Sequence, residues 1–225
     1  MLKARKRLTK RQIKEDKLVT YYFKVTDYLY RNSRNLASVA GAVAVIILAL
    51  LIYTSKQREK DQDAVVAFME AKAEYFAQNY ESAANKLENL VQTYEGTPSA
   101  NTALFYLGNA YFQLKKYDQA EAAFREYVAK GDDKVLKVSA MAGVAASLEE
   151  MGQYREAAQM YQEAAEDYPD SFQAPENLMH AARCYARAGQ TALAVETLKT
   201  LLDRYSEASI TNEAEILLAE LQAMG

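Results

Sequence analysis

The sequence has little of what interrupts a helix. Its 225 residues include 8 glycines and 3 prolines, about 5% together against an ordinary share of about 12%. That scarcity excludes collagen and argues against a β-sandwich or barrel, which needs turn residues roughly every 8–12 positions. There is one cysteine, Cys184, so no internal disulfide can form. With one histidine, His180, beside it there is no zinc-finger ligand set. Tryptophan is absent and no glycine-rich phosphate loop occurs. What fills the chain instead is alanine, 39 residues of 225, the strongest helix former. The composition predicts an all-α protein.

Charge is unevenly placed. Residues 1–36 carry 11 Lys and Arg against three acids, Glu15, Asp16 and Asp27, a sum of +8. The other 189 residues carry 16 bases and 27 acids, a sum of −11. Between Arg34 and Lys56 lie 21 uncharged residues, centred on the run from Leu36 to Tyr53. About 20 apolar residues in a helix span the hydrocarbon of a bilayer, and Tyr53 sits where an interfacial aromatic belongs. A cleaved signal peptide fits poorly, because the leader is long and Ile52-Tyr53-Thr54-Ser55 is no cleavage site. A buried core helix fits poorly too, since nothing else in the chain is apolar enough to surround it. The expected organisation is a basic cytoplasmic leader over 1–35, a membrane helix over 36–55 and an extracytoplasmic domain over 56–225. The bias of Lys and Arg towards the N-terminal flank sets that orientation. In the leader, Leu18, Tyr22, Val25 and Leu29 recur at 4, 3 and 4, a helical stripe among bases. It reads either as a helix on the anionic inner leaflet or as a solvated basic tail. Contact of that arm with RNA is a third reading.

The remainder repeats itself. Asn79-Tyr80-Glu81-Ser82-Ala83 returns as Lys116-Tyr117-Asp118-Gln119-Ala120, as Gln153-Tyr154-Arg155-Glu156-Ala157 and as Gln190-Thr191-Ala192-Leu193-Ala194. The alanines 83, 120, 157 and 194 are each 37 apart, and Leu87, Phe124, Tyr161 and Leu198 follow them by four. Leu104, Leu107, Gly108, Tyr111, Ala120 and Phe124 in the second unit, with Pro169 closing the third, resemble the tetratricopeptide repeat. That family has a usual period of about 34; the longer connections, such as Tyr168 to Pro175, account for the difference. The resemblance implies an α-solenoid of about four units, over 64–97, 101–134, 138–171 and 175–208. A capping helix over 207–223 follows. The helix pairs expected are 58–78 with 81–94, 99–114 with 117–129, 135–151 with 154–167, and 174–188 with 191–204. No Gly or Pro lies between Gly41 and Gly96, so the membrane helix can run directly into the first of these.

No catalytic set is recognisable. His180 reads as a packing or surface residue, Cys184 as a small buried apolar residue, and Glu149-Glu150 and Asp132-Asp133 as solvated acids. No cofactor and no metal site is expected, and the acidity of 56–225 argues against nucleic acid. What the family resemblance implies is protein binding along the first helices of the units. The inward positions carried over are Phe68, Lys72, Tyr75, Phe105, Asn109, Phe112, Ala142, Ala146, Glu149, Met179 and Arg183. Phe105 and Phe112 are expected to form an apolar stripe free for a partner. The architecture is similar to that of YfgM-like ancillary proteins of the Sec translocon, in the bacterial inner membrane with a periplasmic repeat domain. That likeness implies Sec channel subunits, a membrane-anchored chaperone or its clients as partners. The other reading is a structural scaffold subunit of a respiratory or photosynthetic membrane complex, packed through the small residues Ala37, Ser38, Ala40, Gly41, Ala42 and Ala44.

Overall fold

A computed structural model describes the backbone of residues 10–223 and the side chains of residues 17–223. The basic cluster at Lys3 to Arg7 lies outside the described residues. The described chain is helical throughout: α1 Lys10–Arg31, α2 Ser33–Phe76, α3 Tyr80–Thr93, α4 Pro98–Gln113 and α5 Tyr117–Lys130 come first. Then follow α6 Lys134–Glu150, α7 Tyr154–Asp167, α8 Ala174–Arg187, α9 Thr191–Arg204 and α10 Thr211–Ala223. The chain divides into two compact units, residues 1–58 and 59–225, with the boundary inside α2.

In the first unit the side chains described from Lys17 onward are largely exposed. Among the described residues one helix, α2, is long and apolar enough to cross a membrane, with a mean hydropathy of 2.7 in its apolar window. Asn32 is the single residue between α1 and α2, and its amide and backbone N–H both donate to the Tyr28 carbonyl.

The second unit is built from helix pairs that stack in chain order, α3 on α4 through α9 on α10. The repeating alanines make this possible. Ala83, Ala120, Ala157 and Ala194 are all fully buried, because a methyl group is all that two closely approaching backbones leave room for. Leu87, Phe124, Tyr161 and Leu198, one turn further on, fill the spaces between helices. Phe124 explains two mid-helix glycines. A Cβ at Gly108 or at Gly143 would stand about 2.7 Å from its ring, so α4 and α6 close on either side of it.

The turn inside each pair repeats as well. Gln78, Lys115, Gly152 and Gly189 all hold positive φ, at 62°, 58°, 77° and 74°. The next residue in each turn donates its N–H to a carbonyl five residues back, as Lys116 to Tyr111 and Gln190 to Tyr185. This is the Schellman closure that caps a helix C-terminus. Between pairs, side chains start the next helix, after the left-handed Gly96 (φ 83°) in one case. Thr97 Oγ1 accepts from Ala100 N at 3.2 Å, and Asp133 Oδ1 accepts from Val135 N and Leu136 N at 2.8 and 3.0 Å. The terminal helix starts at Thr211 rather than at 207, because Tyr205 to Ile210 close two tight turns, Ala208 N to Tyr205 O and Thr211 N to Ala208 O.

Candidate protein-binding groove

The expected groove residues do not share one surface. Phe68, Lys72 and Tyr75 on α2 gather around Tyr106 of α4. Ring centroids of Phe68 and Tyr75 lie 5.5 and 5.6 Å from that of Tyr106. The Lys72 ammonium lies over the rings of Phe68, Phe76 and Tyr106 at 5.8, 5.7 and 5.2 Å. A cation held over three aromatic faces is already engaged, so this set works as packing between α2 and α4. Phe105 belongs with the core beside it: its ring stands 6.0 Å from Phe124 and 5.7 Å from Tyr127, both buried.

Asn109 and Phe112 point the other way, into a cleft of about 370 Å³. Its walls are Asn109 and Phe112 of α4, Ala142, Gly143 and Ala146 of α6, and Asn177 and His180 of α8, over Phe124 and Tyr161. The cleft exists because α6 presents only small residues here. It continues into a second space of about 590 Å³, past Glu149, Arg183 and Arg187 to Leu217 of α10. Phe112, Ala146, Tyr161 and His180 line both, so the two form one groove across three successive units and the capping helix.

Met179 does not take part. It is 1% exposed and lies in the core; its flexible thioether chain folds between helices instead of facing outward. Arg183 lines the far end and pairs with Glu213 of α10. Arg187, beside it, pairs with Glu149 at 2.8 Å and covers the Tyr154 ring at 5.1 Å. Both arginines at that end are therefore paired within the protein. His180 stacks on Tyr161 with centroids 5.1 Å apart and planes 20° from parallel. Burial, and then the Glu149 carboxylate, push the Tyr161 phenol above its ordinary range. Burial likewise pushes the Cys184 thiol up to about 12, with Glu149 adding to it. Both groups are neutral and unreactive near neutral pH. Among the described residues no group of three His, Cys, Asp or Glu is placed to hold a metal.

The residue that sequence reasoning missed is Asn177. It is 3% exposed, and its Nδ2 has no hydrogen-bond partner in the protein. A buried amide donor without an acceptor is costly, about 1–3 kcal/mol, and this one lines an open cleft. The signal was present in the repeat: 37 and 74 residues earlier stand Ala140 and Ala103, both fully buried. An amide replaces a methyl where the period asks for alanine. His180 obeys the same arithmetic, standing where earlier units have Gly143 and Tyr106.

Family profiles described as tetratricopeptide repeat match residues 68–134 and 148–210. Among solved structures, the fold is similar to the nearly identical TPR-like repeats assigned to a kinesin light chain of Podosopora anserina. The TM-score there is 0.52 with 17% identity, over 72% of this chain and 94% of that one. MamA AMB-1 gives 0.52 with 18% identity, over 72% and 84%, and MamA RS-1 gives 0.52 with 15%, over 72% and 95%. At such identities the likeness concerns the fold alone. The comparison with curated proteins finds no match. The two matched segments span more than half of the sequence, and the chain belongs to the tetratricopeptide-repeat family.

Proposed function

We propose that this protein is a membrane-anchored interaction module that captures a protein segment in the groove between Phe112 and His180. The observation that carries the reading is the groove itself. An apolar floor of Phe112, Ala146 and Tyr161 is flanked by the unsatisfied Asn177 donor. That combination suits an extended peptide, whose side chains bury on the floor while a backbone carbonyl accepts from Asn177. Residues 36–55 of α2 serve as the anchor, with the +8 leader in the cytoplasm and the −11 domain outside. In a bacterial inner membrane this places the groove in the periplasm, where an accessory subunit of the export machinery would meet a Sec channel subunit, a membrane-anchored chaperone or its client.

A second reading is supported by a different surface. Val65, Val66, Met69 and Phe76 on α2 are 49–66% exposed, on a helix with no preceding repeat to cover it. A structural subunit of a membrane complex would use that face. Purification in mild detergent followed by mass spectrometry separates the two. Export components that are lost on Phe112→Ala with Asn177→Ala support the first reading. Redox subunits that survive those changes and are lost on Met69→Glu support the second.

A further inference from the structure

Among the described residues, the leader helix α1 carries a face pattern whose apolar side chains stand exposed. At 100° per residue, Leu18, Tyr22, Val25 and Leu29 share one face and are 45–72% exposed. Lys17, Lys24 and Arg31 lie on the opposite face, exactly seven positions apart in the chain and therefore in one row. The borders between these faces are aromatic on both sides. Tyr21 and Tyr28 stand at one border, Phe23 and Tyr30 at the other, all 64–82% exposed. The polar side chain within the apolar face is Thr26, and its hydroxyl is bonded to the helix itself, to Tyr22 O at 2.9 Å and Phe23 O at 3.0 Å.

We infer that α1 lies in the headgroup layer of an anionic membrane surface, with Leu18, Tyr22, Val25 and Leu29 towards the acyl chains. This rests on the reading of residues 36–55 as a span, which brings α1 to the bilayer. Three features select lipid over a second copy of the chain. The apolar sector is broad, since the consecutive aromatics Tyr21, Tyr22 and Phe23 cannot share a narrow coiled-coil seam. The two aromatic borders put amphipathic rings at the depth where a bilayer changes from wet to dry. The row of Lys17, Lys24 and Arg31 is basic, and the acid on that face, Asp27, pairs with Arg31 at 3.2 Å. That row faces the phosphates of anionic lipids rather than a matching acidic protein edge. Asn32 is the lone residue between α1 and α2, and on this inference it marks the boundary between the surface helix and the span.

The absence of tryptophan gives a direct test in the full-length protein, reconstituted into vesicles of anionic phospholipid with brominated acyl chains. Single reporters are placed on the apolar face (Tyr22→Trp), on the opposite face (Thr20→Trp) and in the span (Leu48→Trp). Expected are a blue-shifted, severalfold quenched signal at 22, a solvent-like signal at 20 and strong quenching at 48. In zwitterionic vesicles the quenching at 22 should weaken while that at 48 persists. Quenching at 48 with solvent-like emission at both 20 and 22 overturns the inference and leaves the span intact. A blue-shifted signal at 22 that bromine does not quench overturns it in favour of protein contact. Equal quenching at 22 in both lipids overturns the selection of anionic headgroups. A solvent-like signal at 48 overturns the span and the inference together.

Discussion

Gln78, Lys115, Gly152 and Gly189 perform one task at one backbone geometry, yet only two of them are glycine. A side chain in the left-handed region costs about 1 kcal/mol or more, partly offset by the greater freedom glycine has in the unfolded chain. Lys115→Gly should therefore raise stability by about 0.5 kcal/mol. Gly152→Ala should lower it by about 1 kcal/mol, although its Cβ would meet no atom within 4 Å. Urea unfolding of the purified chain reads both signs; a gain from Gly152→Ala would contradict the turn geometry. Gly143 is a different case, since a methyl there would press into the Phe124 ring. Gly143→Ala should lose about 1–3 kcal/mol by overpacking, while Gly143→Ala with Phe124→Leu recovers part of the loss. Cys184 supplies the pH dependence. Its thiol keeps its proton to about 12 in the folded protein, against an ordinary value of 9.0. The unfolded chain then gives up the proton first as pH rises. The stabilising contribution is present in full below about 9 and is lost between 9 and 12. The thermal midpoint should fall as pH rises from 9 towards 12, and fall less in Cys184→Ala. Equal slopes would remove Cys184 as a cause.

At the scale of the helix, the period of 37 carried most of the fold. The spacing of Ala83, Ala120, Ala157 and Ala194 marked the helix crossings, and all four are fully buried. Periodicity sets which way a residue faces, but not what volume its neighbours leave there. That is why Phe105 proved to be packed against Phe124 and Tyr127, and why Met179 proved to be core. It is also why the space opened by Gly143 could be read only with the helices in place, whereas Asn177 stood out in the repeat as an amide where the period has alanine. The last helix shows the same division between pattern and packing. Ala214 and Leu221 of α10 are buried, whereas Ile216 is 61% exposed, so α10 closes the core on one face only. Leu221→Ala should cost about 2 kcal/mol or more and expose the end of the stack, seen as increased amide exchange in α9 and α10. Exchange unchanged in α9 would mean that α10 does not cap the domain.

For the whole molecule, the charge separation and the groove belong to different parts of the sequence. In the proposed reading the +8 leader and the uncharged stretch are assigned to a bilayer, and the acidic repeat domain to a protein partner. The account depends most on the groove that Phe112, Tyr161, Asn177 and His180 line. A photo-crosslinking amino acid placed at Phe112 in the full-length protein in cells reads that groove directly. A second placed at Gln119, exposed on α5 and outside the groove-lining set, serves as the control. The account predicts a discrete adduct from position 112, lost when Asn177 and His180 are both changed to alanine in a chain that keeps its helical signal, and none from position 119. Adducts from position 119 alone, or an adduct at 112 that is indifferent to Asn177 and His180, would contradict it.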